Sequence, residues 1–335
     1  MAINLLAIKP HQVSRDLSGY ITYIYGAGKT GKTTLASQMP DSLLLAFENG
    51  YNAIPGIMAQ DITSWSELKQ TVRELKKQEV KDVYKCITID TVDIAATLCE
   101  KYICSQAGVD KLTDIPYGQG WTKVKKEFEE TFRTITQNGY ALFFISHAKD
   151  KVFKRQDGSE YNQIVPSIGN TYNEIVRNMA DIYGYAHQVR KEDGTTSVQL
   201  TLRSLDGSVD TGCRFKYIEP EINFSYPDLV KALNKAIDTE AKLTNNQFIT
   251  DERNTVVEQS NLDFDSLMEE FRTMVNNLGE NNTEERFKTY WSPRIVQITD
   301  MYLGKGRKVN QCTRDQVEML SMIVSDLKDL IESEK

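Results

Sequence analysis

Residues 21–36, ITYIYGAGKTGKTTLA, restrict this chain more than any other stretch. A short apolar run meets a glycine-rich turn, then a lysine and two threonines. Read in the frame G-x-x-x-x-G-K-[ST], the stretch gives Gly26, Gly31, Lys32 and Thr33. A second frame on Lys29 fails, because it needs a glycine where Tyr23 stands. The spacing has a physical cause. Backbone N–H groups curl around phosphates and a helix start adds positive potential, while glycines let the chain approach the anion without a Cβ in the way. The reading is a nucleoside triphosphate site, with ATP and Mg²⁺ as the expected cofactors. Gly26, Ala27, Gly28, Lys29, Thr30, Gly31, Lys32, Thr33 and Thr34 line it, Lys32 reaching the β- and γ-phosphates and the Thr33 hydroxyl taking a place on the metal.

The surrounding pattern predicts an α/β fold. Apolar runs at 20–25, 42–47, 85–90 and 140–146 suit buried strands, and helical periodicity fills the intervals: 64–75 opened by the capping box Ser64-x-x-Glu67, 91–106, and 121–135. Such alternation implies a mainly parallel sheet with helices on both faces. After His147 the pattern changes to hairpins. Residues 152–155 and 161–165 flank Asp157-Gly158, and 182–190 and 197–203 flank Glu192-Asp193-Gly194. An edge strand at 213–218 and a helix at 226–237 follow. The expected organisation is a core over 1–238, a polar linker over 239–262, and a helical C-terminal domain over 263–335, with helices at 264–278, 284–303 and 313–332.

A triphosphatase also needs a carboxylate for the metal's shell and a group to orient the attacking water. Asp90 ends the strand CITID and is the Walker B candidate, holding Mg²⁺ through a water; it can also simply cap the next helix. Glu48 ends the strand after the P-loop helix, where a carboxylate can polarise water in line with the γ-phosphate; otherwise it is a solvated loop acid. His147 ends a third buried strand, as a γ-phosphate sensor or as a satisfied buried histidine. Glu48, Lys32, Asp90 and His147 form the catalytic candidate set.

YGAGKTGKTT, LLLAFENG, ITIDT, YGQGW and GYALFFISHAK, with the later DIYGYAH, LTLRS and GCRFK, together resemble a RecA-type ATPase. More narrowly they resemble the RecA-like branch of the phage Sak single-strand annealing proteins, over residues 18–235. The resemblance implies a RecA-like P-loop ATPase core with a C-terminal helical region appended. It implies Glu48 as catalytic base and His147 in the place of RecA's glutamine switch. It also implies a ring or filament whose site is completed by a neighbour's cation, for which Arg203, Arg214 and Lys216 are candidates. In RecA relatives the segment after the switch strand touches single-stranded DNA. Here that segment carries Lys149, Lys151, Lys154 and Arg155, with Phe153 and Tyr161 available for stacking.

Composition bounds the partners. Residues 240–335 hold 12 Lys and Arg against 18 Asp and Glu, and the other 239 hold 28 against 29. Overall acidity argues against a generic nucleic-acid binder, although binding needs only a basic patch. The expectation is single-stranded DNA as a partner in phage recombination, annealing or replication. The alternatives are a switch or loader acting on a protein, through the acidic C-terminal helices, and a DnaB-like motor helicase. The basic turn at 304–308 reads as a surface loop between helices. Five scattered cysteines without C-x-x-C suit reduced thiols, and no signal segment or membrane span is evident. The expected place is therefore the cytoplasm of a phage-infected bacterium.

Overall fold

The computed structural model describes residues 9–253 and 262–334. They divide into two compact units, one of residues 10–253 and one of residues 262–334 together with Lys9. No helix among the described residues is long and apolar enough to cross a membrane.

The first unit begins with β1 (Val13–Ser14) and β2 (Thr22–Gly26), which leads into α1 (Lys32–Ser37). Next come β3 (Ser42–Ala46), β4 (Ala59–Asp61), α2 (Trp65–Glu74), α3 (Gln78–Val83), β5 (Cys86–Asp90), α4 (Val92–Ala107) and α5 (Gln119–Gln137). The later half holds β6 (Ala141–Lys154), β7 (Glu160–Pro166), α6 (Asn170–Met179), β8 (Ile182–Arg190), β9 (Thr196–Thr201), β10 (Gly212–Cys213), β11 (Glu221–Asn223), α7 (Tyr226–Thr244) and β12 (Ile249–Thr250). One sheet runs in the order β11-β9-β8-β2-β6-β5-β3-β4, with β7 added to β6 and β10 to β8. The stretch from β8 to β4 is parallel; the β7, β9, β10 and β11 pairings are antiparallel. The P-loop strand β2 therefore lies inside the sheet between β6 and β8.

Strand alternation sorts the side chains to two faces. One face carries Tyr23, Tyr25, Leu45, Ile87, Ile89, Leu142 and Phe144, covered by Trp65, Leu68, Cys99, Phe128, Phe132 and Tyr172 of α2, α4, α5 and α6. The other carries Ile24, Cys86, Phe143, Ile145 and Ile182 against Leu35 and Ala36 of α1 and Leu229, Leu233 and Ile237 of α7. Both faces are apolar, so the strands read as continuous apolar runs rather than alternating ones.

Four segments differ from the sequence expectation. The strand expected to end at 146 runs on to Lys154, because β7 pairs with its far half from Ala148↔Pro166 to Lys154↔Glu160. The expected linker begins within helix: α7 continues to Thr244, and Ile249–Thr250 pairs with Val13–Ser14 near the start of the described chain. Arg253 then donates to the carbonyls of Ser18, Lys85 and Gly139, tying this stretch to the core. Residues 254–261 of that linker lie outside the described residues. Of the expected edge strand at 213–218 only Cys213 pairs, and the edge is completed by β11.

The second unit consists of α8 (Phe264–Glu280), α9 (Glu284–Arg286) with a wider π-helical turn (Phe287–Trp291), α10 (Ser292–Leu303) and α11 (Val317–Ser333). Met268, Leu303, Leu320, Ile323 and Val324 form one core, and Leu278, Trp291 and Leu327 another. The wide turn precedes Pro293, which has no N–H to give a helical ladder.

Candidate nucleotide site

β2 delivers Gly26 to the end of the sheet between His147 of β6 and Ala186 of β8. A Cβ on Gly26 would sit 2.3 Å from the Ala186 carbonyl oxygen, so the neighbouring strand itself requires the first glycine of the motif. The loop then reverses, and Gly31 caps α1 at φ 88°, the left-handed region that favours glycine. Lys32 is buried, its ammonium donating to the carbonyls of Gly26 (3.0 Å) and Ala27 (2.7 Å). Burial lowers its pKa, and the charges of Asp90, Glu48 and Asp93 oppose that shift.

Thr33 Oγ1 donates to Asp90 Oδ2 at 2.6 Å, so the two side chains expected around a metal converge on one point. Burial raises the Asp90 carboxyl above its ordinary value and Glu48 adds to this, while the Thr33 hydrogen bond, Lys32 and His147 pull it down. Among the described residues no three His, Cys, Asp or Glu side chains form a cage for an ion. A hydroxyl and a carboxylate fit Mg²⁺, which keeps waters and takes phosphate oxygens rather than an all-protein shell.

Glu48 follows β3, and the Phe47 N–H donates to the Asp90 carbonyl at 2.7 Å, which fastens this turn to the end of β5. The turn lies close to the Thr33–Asp90 pair: a Cβ on Gly50 would lie 3.9 Å from both Asp90 Oδ2 and Thr33 Oγ1. Glu48 Oε1 is 3.3 Å from His147 Nε2, both side chains half-exposed. Lys32, Thr33, Glu48, Asp90 and His147 thus meet at the carboxyl ends of β2, β3 and β5 and at the point where β6 leaves the sheet toward β7, with Ala27, Gly28, Lys29, Thr30, Gly31 and Thr34 in the loop and first helical turn.

The sequence reading missed Asp93. It sits on the first turn of α4, accepts the Ser167 hydroxyl at the foot of the β6–β7 hairpin, and its Oδ2 is buried without a partner. An acid three residues after a strand-ending acid was the available signal, because a first helical turn faces back toward the strand ends. The Ser167 contact depends on the hairpin's path and had no local signature.

The three cations proposed to act across a subunit boundary lie elsewhere. The Arg203 guanidinium donates to the carbonyls of Cys213 (3.4 Å) and Phe215 (2.8 Å). Arg214 is 62% exposed and pairs with Asp181 at 3.0 Å, before the start of β8 and so at the opposite end of the sheet from Gly26. Lys216 lies over the ring of Tyr217 at 5.2 Å. Within one chain none of these three joins Lys32 and Asp90.

The basic residues after His147 lie on the projecting half of β6 and just beyond it. By strand alternation Lys149, Lys151 and Phe153 share the face of His147, and Lys154 takes the other. Phe153 stacks on Tyr161 across the ladder at 5.5 Å, Lys151 lies over Phe153 at 4.7 Å, and Arg155 over Tyr161 at 4.8 Å. Lys149 also reaches the Ser167 carbonyl, Lys151 the Asn170 side chain, and Lys154 pairs with Glu160.

Residues 18–224 match the sequence profile of a family described as AAA domain. The chain is also 30% identical over 344 aligned positions to the SPbeta prophage-derived uncharacterized protein YorG of Bacillus subtilis (strain 168), with 99% of each chain covered.

Proposed function

The chain belongs to the AAA domain family, a P-loop nucleotide-binding family, and from that premise we propose that it hydrolyses ATP and acts with it on single-stranded DNA. The observation that carries the proposal is a single strand. β6 passes Glu48 at His147 and continues without a break into the hairpin that presents Lys149, Lys151, Phe153, Arg155 and Tyr161. Cations interleaved with stacked rings suit a backbone with unstacked bases.

In the proposed reaction the loop and Lys32 hold the triphosphate. Thr33 and, through a water, Asp90 would hold Mg²⁺, which when bound would neutralise phosphate charge. Glu48 takes the proton of the attacking water, and His147 at its Oε1 fixes the plane of the carboxylate. Asp90 is followed by Thr91, so the base comes from the neighbouring strand β3 and not from the residue after Asp90. That placement favours the RecA-like branch, with the Sak annealing proteins as its model, acting as a ring or filament. Arg214 and Lys216 would then be the cations offered to the next copy's nucleotide, whereas Arg203 is held by the carbonyls of Cys213 and Phe215. A prophage relative fits a role in phage recombination, annealing or replication.

Anisotropy titrations of a fluorescent oligo-dT at several salt concentrations, with and without ATP, test the reading. Salt-dependent binding that responds to ATP supports it. The absence of binding at low salt would overturn it and leave the switch or loader acting on a protein as the better account. Strand displacement on a forked duplex would move the protein to the motor helicases.

A further inference from the structure

The loop between β9 and β10 does not hang free. Residues 204–211 run along the outer edge of β7: the Ile164 N–H donates to the Ser208 carbonyl (2.8 Å), the Asp210 N–H to the Ile164 carbonyl (3.0 Å), and the Gln163 amide to the Gly207 carbonyl (3.0 Å). The same loop is anchored to the core, with the Tyr183 hydroxyl donating to Asp210 Oδ2 at 3.1 Å and Arg177 pairing with that carboxylate. It braces the hairpin from the side away from β6.

Tyr25 meets this brace from below. It is fully buried, stacked on Tyr183 with Tyr185 tilted against it, and is the residue immediately before Gly26. Its hydroxyl lies 3.0 Å from the Ile164 carbonyl in the hairpin and 2.8 Å from the Asp210 carbonyl in the brace. A phenol has one proton, so it cannot make two full hydrogen bonds at once. A small movement of β2 or of the hairpin changes which carbonyl it serves. Two such arrangements would make the element bistable, which is what a coupling argument needs. Burial pushes the phenol far up, so the group stays a donor throughout the working pH range.

We propose that Tyr25 is a positioning residue that couples the nucleotide loop to the β6–β7 hairpin, its hydroxyl transferring between hairpin and brace as the end of β2 responds to the triphosphate. This rests on the reading of the hairpin as the DNA-binding element, but the coupling can be measured without DNA.

The test compares full-length wild type, Tyr25→Phe and Tyr23→Phe. Phenylalanine keeps the ring stack and removes only the hydroxyl. Tyr23 is the control, being equally buried in the same stack but donating to Asn173. Amide hydrogen exchange over residues 160–166 and 204–211, with and without a non-hydrolysable ATP analogue, reads the coupling directly. The expected result is a nucleotide-dependent change in protection, about five-fold or more, in wild type and Tyr23→Phe. In Tyr25→Phe it is absent, while affinity for the analogue and basal turnover stay within two-fold. The inference is overturned by no change in wild type, by an unaltered change in Tyr25→Phe, or by equal loss in Tyr23→Phe. Oligo-dT titrations on the same proteins separate the two readings. Coupling without any DNA binding would retain Tyr25's role and remove the hairpin's assigned ligand.

Discussion

His147 Nε2 meets Glu48 Oε1 at 3.3 Å across the end of a strand that belongs to neither residue. In the sheet order β5 lies between β6 and β3, so the contact spans two inter-strand spacings, about 10 Å of backbone, just past the end of β5 at Asp90. A carboxylate held there stands near the Thr33–Asp90 pair, where the proposed reaction would have it orient the attacking water.

Glu48→Gln should therefore keep ATP binding and lose turnover. The amide preserves shape and the His147 contact but cannot take a proton, and loss of a general base costs about 10² to 10⁴ in rate. Fluorescent-nucleotide affinity and steady-state phosphate release check this on one preparation. Unchanged kcat would return Glu48 to the status of a half-exposed loop acid.

Asp90 gives a prediction with the opposite sign for stability. Asp90 carries a raised pKa, caused first by burial, so the folded state binds its proton more readily than the unfolded state. The resulting cost is absent below the ordinary aspartate value of about 4, grows as pH rises through the folded value, and is complete above it. Asp90→Asn without nucleotide should melt higher than wild type at pH 7, with the difference closing toward pH 4. The same variant should lose most of the stabilisation that Mg-ATP gives wild type. Melting curves at three pH values, with and without Mg-ATP, decide both parts, and a lower melting point at pH 7 would contradict the linkage.

Which parts were legible in the sequence follows from how local their causes are. Gly26, Gly31, Lys32 and Thr33 announce themselves because one short loop must satisfy phosphate geometry by itself. Glu48, Asp90 and His147 were legible because each ends a buried apolar run, and parallel strands bring such ends to one edge. β4, β11 and the β1–β12 pair were not, since strands of two or three residues show no periodicity and exist only through their partners. The continuity of β6 was hidden for a related reason. Its apolar character stops where the sheet stops burying it, but the ladder with β7 continues. Arg203 shows the limit for side chains. A strand-borne arginine reads as exposed, and only the fold reveals that it closes the loop to Cys213 and Phe215.

Arg203→Ala tests that closure. Two carbonyls lose a part-buried charged donor, so unfolding free energy should fall by about 1–3 kcal/mol. Urea denaturation of the nucleotide-free protein reads it. Wild-type stability combined with lost turnover, restored by mixing with Glu48→Gln protein, would instead give Arg203 the role of a cation acting on a neighbour's nucleotide.

The hairpin carries the last prediction. Replacing Lys149, Lys151, Lys154 and Arg155 by Ser or Gln should leave basal hydrolysis nearly intact, because the cluster lies past the point where β2 ends beside His147. Single-strand affinity should fall, and the slope of log affinity against log salt should shrink by about 0.7 for each phosphate contact removed. The four need not contribute equally. Lys154 is paired with Glu160, whereas Lys151 and Arg155 lie over the Phe153–Tyr161 stack and can hold phosphate while the rings take bases. Restoring Lys151 and Arg155 alone should therefore recover more affinity than restoring Lys149 and Lys154. Anisotropy titrations of the three variants over a range of salt make the comparison. Equal recovery by both pairs would reduce the hairpin to an undirected positive charge, and wild-type affinity and slope in the quadruple variant would remove it from the DNA path altogether.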